Sequence, residues 1–413
     1  MKPQTILIVF LSLFFLELIW EQSLLWLNLR RAGSAKTKPS ALALEIWGAQ
    51  DYRRAIEYSR SKTYLAIVSS LLSSALVLVL ILCGWLGALE NLVSDLAVGP
   101  ILRGILYVYL IALIFSLVSL PVTIYSQFVI EERYGFNRMT WKLFILDGLK
   151  GLLVSIVLVT PLLAVLFTLI RSGSLWWLWG FLLFTAFQLV MIVLYPKVIA
   201  PLFNKFTPLE EGPLKEKLLS LAKHMGFKTR GIFLMDGSKR SKHSNAYFSG
   251  LGRVKRVVLF DTLIQTLGEA EVAGVLAHEI GHQKLRHILK RLAFSILSGL
   301  LGFWILSLLL NYLPFFEAFG FSDSNPQALL VLVMFVSGPF TFYLKPFFSW
   351  WSRRHEYQAD RFVKTHTEYG KAFQHALKRL GKDNLSNPSP HPLFSFYHYS
   401  HPTILERIRA LDL

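Results

Sequence analysis

The chain has 413 residues, 54% of them hydrophobic and only 17% charged, and a formal net charge of +17. Soluble domains carry about 25% charged residues, so a mean hydropathy of +0.47 excludes an ordinary water-soluble enzyme. A single cysteine, Cys83, excludes a disulfide framework and a thiolate metal cluster, and no nucleic-acid motif accompanies the positive charge.

Apolar runs of roughly 18 or more residues are long enough to cross the hydrocarbon core as helices. Seven occur in chain order, at 5–27, 64–88, 104–127, 150–170, 175–195, 292–313 and 328–349. They predict a mainly α, polytopic membrane protein. "AGSA" after the first run resembles a signal-peptide cleavage site. Its apolar core is too long, however, and Arg30 and Arg31 follow at once, so a retained signal anchor is expected. Cys83 falls inside the second predicted span. Of the 43 Lys and Arg residues, all but Lys2, Arg103 and Arg171 lie in the segments 28–63, 131–150, 196–291 and 345–413. Seven spans put those segments on one side, and the positive-inside rule makes that side cytoplasmic and the N-terminus external. The charge then suits anionic membrane lipid rather than nucleic acid. Glu17, Glu21 and Gln188 lie within spans and are expected to face protein or water instead of lipid.

The polar blocks 201–290 and 351–413 together reach about 150 residues, a common domain size. They are expected to form one cytoplasmic unit split by the last two spans. The chain thus divides into spans one to five (1–200), a first domain half (201–291), spans six and seven (292–350) and a second half (351–413). Pro201–Pro208 and "NPSPHP" (387–392) read as short linkers. "RGIFLMDG" (230–237) reads as a strand, and 244–260 as a hairpin turning at Gly250 and Gly252. From Gly268 to about His287, Val272, Val275, Leu276 and Ile280 recur at helical spacing behind Glu269 and Glu271.

On that helix lies "AHEIGHQ", with His278, Glu279 and His282 in H-E-x-x-H register. Residues four apart share a face, so both imidazoles can reach one cation while the Glu takes a proton from water beside it. A catalytic zinc takes three protein ligands, and Ile288 occupies the place where some such motifs carry a third His. In "WSRRHEYQADRF" (351–362), Glu356 and Asp360 are also four apart. Such a pair can put one carboxylate on a metal and the other on a ligating His N–H, or it can be a solvated charge run. His355 is rotated about 100° from that face and is expected to take no part.

These motifs resemble the integral-membrane zinc peptidases typified by the type-1 CaaX prenyl endopeptidase. The resemblance runs through "EERYGFN" (131–137), "HSNAYFSG" (243–250), "RVVLFDTL" (256–263), "LAHEIGH" (276–282), "SRRHEYQAD" (352–360) and "HPTILERIRAL" (401–411). It implies a barrel-like chamber of seven helices capped by an α+β gluzincin-type domain with one Zn²⁺. It further implies His278, His282 and Glu356 as ligands, Glu279 as general base and Asp360 as the carboxylate that orients a ligand. Asn245 and Ala246 become a substrate-aligning edge, and His401 and Arg407 donors to substrate carbonyls and the oxyanion. Tyr134 stands where the resemblance leads one to expect His.

The activity implied is hydrolysis of peptide bonds near the C-terminus of prenylated or membrane-associated proteins. The ending "RALDL" has no dilysine retrieval signal, which favours a prokaryotic plasma membrane over the endoplasmic reticulum and, with it, quality control of membrane proteins. A transporter or channel with a structural metal is the rival from another class. The smaller heat-shock branch of membrane zinc peptidases is disfavoured by seven spans rather than about four.

Overall fold

The computed structural model describes residues 1–33, 39–227, 229, 231–249 and 256–412. Among them, seven helices are long and apolar enough to cross a membrane. The first five are α1 (Pro3–Gly33), α2 (Ala41–Leu82), α3 (Pro100–Tyr125), α4 (Trp141–Arg171) and α5 (Trp176–Leu194). After α6 (Pro213–His224) and α7 (Glu269–Lys284), the chain re-enters with α8 (His287–Leu310) and α9 (Pro326–His366). The last two labelled helices are α10 (Gly370–Asp383) and α11 (Ile404–Asp412).

The seven apolar runs therefore each become a helix, but several reach well beyond the run. Helix α2 begins 23 residues ahead of its predicted span, bends at Gly48 (φ 66°) and ends at Leu82. Cys83 is consequently an exposed residue capping the helix end rather than a group within it. Helix α9 continues past residue 350 without a break, so the limit drawn there falls inside one helix. The limit at 291 likewise falls inside α8. A charged segment in register with a membrane helix costs nothing in backbone hydrogen bonding, because the helix satisfies its own groups in water and in lipid alike.

The helices pack around an apolar interior that includes Phe10, Leu80, Tyr107, Phe167, Leu329 and Leu332. Large apolar side chains such as Val157 and Leu297 remain on the outside, the surface that hydrocarbon covers. The polar residues of the spans turn away from it. Gln188 donates to Ser295 Oγ at 3.1 Å, Glu21 lies 3.2 Å from His398, and Glu17 lines a cavity of about 720 Å³ with Arg291 and Lys345.

Beside the helices lies a four-stranded sheet ordered β1-β2-β4-β3, comprising β1 (Phe206–Pro208), β2 (Ile232–Met235), β3 (Ala246–Ser249) and β4 (Arg256–Phe260). β2 runs parallel to β4, and the two outer strands run antiparallel to their neighbours. β1 sits in what the sequence reads as a proline-bearing linker; Pro208 is tolerated because β1 is an edge strand. The predicted hairpin is present as β3 and β4, and Gly250 and Gly252 lie outside the described residues. Val257 and Leu259 of β4 and Ile232 of β2 bury against Leu276 and Ile280 of α7, Val363 of α9 and Phe373 of α10. The two polar blocks thus share one core. A further cluster ties it to the membrane helices through Trp47, Ile130, Phe136, Leu385 and Ile408.

Candidate metal centre and cleft

Helices α7 and α9 cross so closely that the contact admits only small residues. A Cβ on Gly281 would stand 3.1 Å from Phe362 and 3.4 Å from the Ala359 Cα, and Ala359 is fully buried there. Ala359 therefore occupies a packing position, which explains why no second His follows His355. The approach brings Glu356 over the H-E-x-x-H face. His278 Nε2 and His282 Nε2 lie 3.1 Å apart, and each is 3.4 Å from one Glu356 oxygen. Tetrahedral zinc at about 2.0–2.1 Å from each ligand separates its donor atoms by about 3.3 Å. Two imidazole nitrogens and a carboxylate aimed at one another at this spacing suit a cation, and the three form the one such group among the described residues.

Each ligand candidate is held from behind. His278 donates Nδ1–H to Asp360 Oδ1 at 2.9 Å, and its ring stacks on Phe373. Arg407 donates to both Asp360 oxygens, Nε to Oδ2 at 2.9 Å and Nη2 to Oδ1 at 2.6 Å. Burial pushes the His278 imidazole down, but the hydrogen bonds to Asp360 and Glu356 outweigh it and lift it to about 9. A proton and a cation compete for that Nε2.

The support of His282 is a feature that the sequence reading missed. His282 Nδ1 lies 2.9 Å from His287 Nδ1, and His287 Nε2 is 3.0 Å from Gln358 Oε1. With Gln358 accepting, His287 carries its proton on Nε2 and receives the Nδ1–H of His282, which leaves the His282 Nε2 lone pair toward the cation site. His355, expected to take no part, is buried with its ring stacked 3.9 Å from His287. The only sequence signal was a His five residues past the motif, which no helical periodicity links to it, because α7 ends at Lys284 and Arg286 adopts φ 59°.

A cleft of about 370 Å³ opens over this group, lined by Asn245, Ala246, Tyr247, Glu279, His401 and Arg407 among others. Glu279 is half-buried; desolvation raises its carboxyl above the ordinary range, and the adjacent His278 and His282 pull it back. Strand β3 forms one wall and is the sheet's free edge. Phe260 N donates to Asn245 O at 3.1 Å, so by antiparallel alternation Ala246 turns its main-chain groups away from β4. Its N–H meets the Asn245 side-chain oxygen at 2.8 Å. His401 is exposed at the rim, with Nε2 3.4 Å from Glu356. Arg407, by contrast, is buried, and its guanidinium is engaged by Asp360.

Comparison with known proteins agrees with both halves. Residues 28–205 match the family described as "CAAX prenyl protease N-terminal, five membrane helices", and 208–413 match "Peptidase family M48". A CAAX prenyl protease 1 homolog of Oryza sativa is 42% identical over 72% of this chain and 70% of its own length. One from Mus musculus is 34% identical, covering 95% and 92%. The crystal structure of S. mikatae Ste24p superposes with a TM-score of 0.91 at 33% identity, over 100% of this chain and 99% of that one. The chain belongs to the CAAX prenyl protease 1 family, membrane-embedded metallopeptidases with an M48 peptidase domain.

Proposed function

We propose that this metallopeptidase uses one zinc ion, held by His278, His282 and Glu356, to cleave peptide bonds near the C-terminus of prenylated C-a-a-X proteins. The observation that carries the reading is the convergence of those three ligand atoms, with Glu279 beside them, in a cleft walled by a free strand edge. Zinc bound there supplies a Lewis acid for the scissile carbonyl and for a water. Glu279 takes the proton of the attacking water and returns it to the leaving amine. The substrate adds as a strand beside Ala246, whose main-chain groups face the cleft, and Asn245 releases the Ala246 N–H to receive it. His401 is the group at the rim that donates to the developing oxyanion, turning its Nε2 from Glu356 to do so. Asp360 holds the His278 ring and its tautomer, and Arg407 neutralises Asp360 rather than binding substrate directly. The names of the relatives motivate the C-a-a-X substrate.

The cytoplasmic placing of the domain rests on the cationic loops, and its two halves are assigned to 201–291 and 351–413. The test is mass spectrometry of peptides incubated with the purified protein. Release of an intact C-terminal tripeptide from a farnesylated C-a-a-X peptide, with its unprenylated twin cleaved far more slowly, is expected. Equal cleavage of both would instead favour general quality control of membrane proteins.

A further inference from the structure

The loop at 131–138 takes no part in the cation site, yet it is built into the segment that leads to β3. Asn137 pairs with Ser241 as an antiparallel bridge. On either side, Arg138 N donates to Arg240 O at 3.1 Å and Lys242 N to Phe136 O at 3.0 Å. The next residue, His243, is clamped on every side. Its Nε2 lies 3.3 Å from Glu131 Oε2, its Nδ1 3.2 Å from Asn384 Oδ1, and the Phe136 ring stacks on it at 4.0 Å. Asn384 Oδ1 also accepts from Ser244 N, and Thr262 donates to the His243 carbonyl at 3.1 Å. Three residues after His243, Ala246 presents its main chain to the cleft.

Glu131 itself is anchored in the membrane part. It lies in the last turn of the third membrane span, which continues past α3 to Arg133. Its side chain is 12% exposed, and Lys62 Nζ (2.8 Å) and Tyr58 OH (2.9 Å) of α2 both donate to its Oε1. One carboxylate oxygen thus belongs to the membrane helices and the other to the peptidase domain. Arg54 of α2 adds a bond to the Tyr134 carbonyl at 2.7 Å, so the loop that carries Glu131 cannot drift independently. An edge strand is hydrogen-bonded on one side only, so the segment that leads into it bears on where it sits.

We propose that Glu131 and His243 are positioning residues for substrate: together they fix the height and register of β3 against the cation site, so that an added peptide presents its scissile bond to Glu279. The proposal rests on the reading of β3 as the substrate-binding edge. It predicts a defect in productive binding rather than in chemistry, because neither residue reaches the cleft's reacting atoms.

The experiment measures kcat and KM of the purified full-length protein on a quenched-fluorescence peptide, with zinc content determined for each variant. Glu131→Gln keeps the acceptor for Lys62 and Tyr58 and so guards against a folding defect; His243→Ala, the double variant and Ala246→Pro complete the set. Glu131→Gln and His243→Ala should each raise KM about tenfold, with kcat within about twofold and zinc retained. The double variant should be no worse than either single one, because both break one link. Unchanged KM, additive effects, or a fall in kcat with KM intact would each overturn the proposal. Ala246→Pro removes the outward N–H and fixes φ there, while leaving the bonds of Asn245 O and of Glu131 and His243 to their partners untouched in kind. If it leaves KM unchanged, the edge reading itself fails; if only it raises KM, the edge stands and the positioning role falls.

Discussion

Arg407 and His287 illustrate how much of a metal centre lies behind its ligands. Arg407 is buried and spends its hydrogen bonds on Asp360, so its loss strands a buried carboxylate. Arg407→Ala should therefore destabilise the protein by about 3–5 kcal/mol, seen as a lower melting temperature in detergent. A variant that melts normally and only turns over slowly would return Arg407 to a substrate-binding role. In the proposed site His287 Nδ1, 2.9 Å from His282 Nδ1, is the partner that orients that imidazole, and losing such a partner of a metal ligand typically weakens metal binding about 10–100-fold. His287→Ala should show that loss in zinc titration against a competing chelator. Unchanged affinity would mean that His282 keeps its orientation without help.

At the scale of elements, the site depends on three helices that pack unusually close. A Cβ on Gly274 of α7 would meet the backbone and Cβ of Phe373 on α10 at 2.9 Å, and Phe373 is the ring on which His278 stacks. Gly274→Val should cost about 1–3 kcal/mol through overpacking, measured as thermal stability in detergent; an unaltered transition would mean that α10 shifts freely. The H-E-x-x-H helix, the strands around it and the i, i+4 pair at Glu356 and Asp360 were legible from period and spacing alone. The pairing of Glu356 with that helix was legible only as one of two readings of the pair, because 73 residues, α8 and the membrane part of α9 intervene, and the family resemblance supplied the choice. His287 and Gln358 escaped notice because their link crosses from the start of α8 to the C-terminal part of α9. β1 escaped because three residues ending in Pro208 leave no alternation to read.

For the whole molecule, the helices' lengths show that membrane and peptidase parts are one continuous structure, with α9 running from the membrane part through Glu356 to His366. Its orientation is testable through Cys83, which is exposed at the end of α2 remote from Ala41. With the peptidase part cytoplasmic, a membrane-impermeant maleimide should label Cys83 from the external face of sealed vesicles. Labelling only after permeabilisation would invert the topology. The central claim is that His278, His282 and Glu356 hold the metal while Glu279 moves the proton, and Glu279→Gln separates the two. Measured together on one preparation, zinc should stay at one ion per chain while peptide cleavage falls about 10²–10⁴-fold. Turnover that survives the substitution with zinc in place would contradict the account.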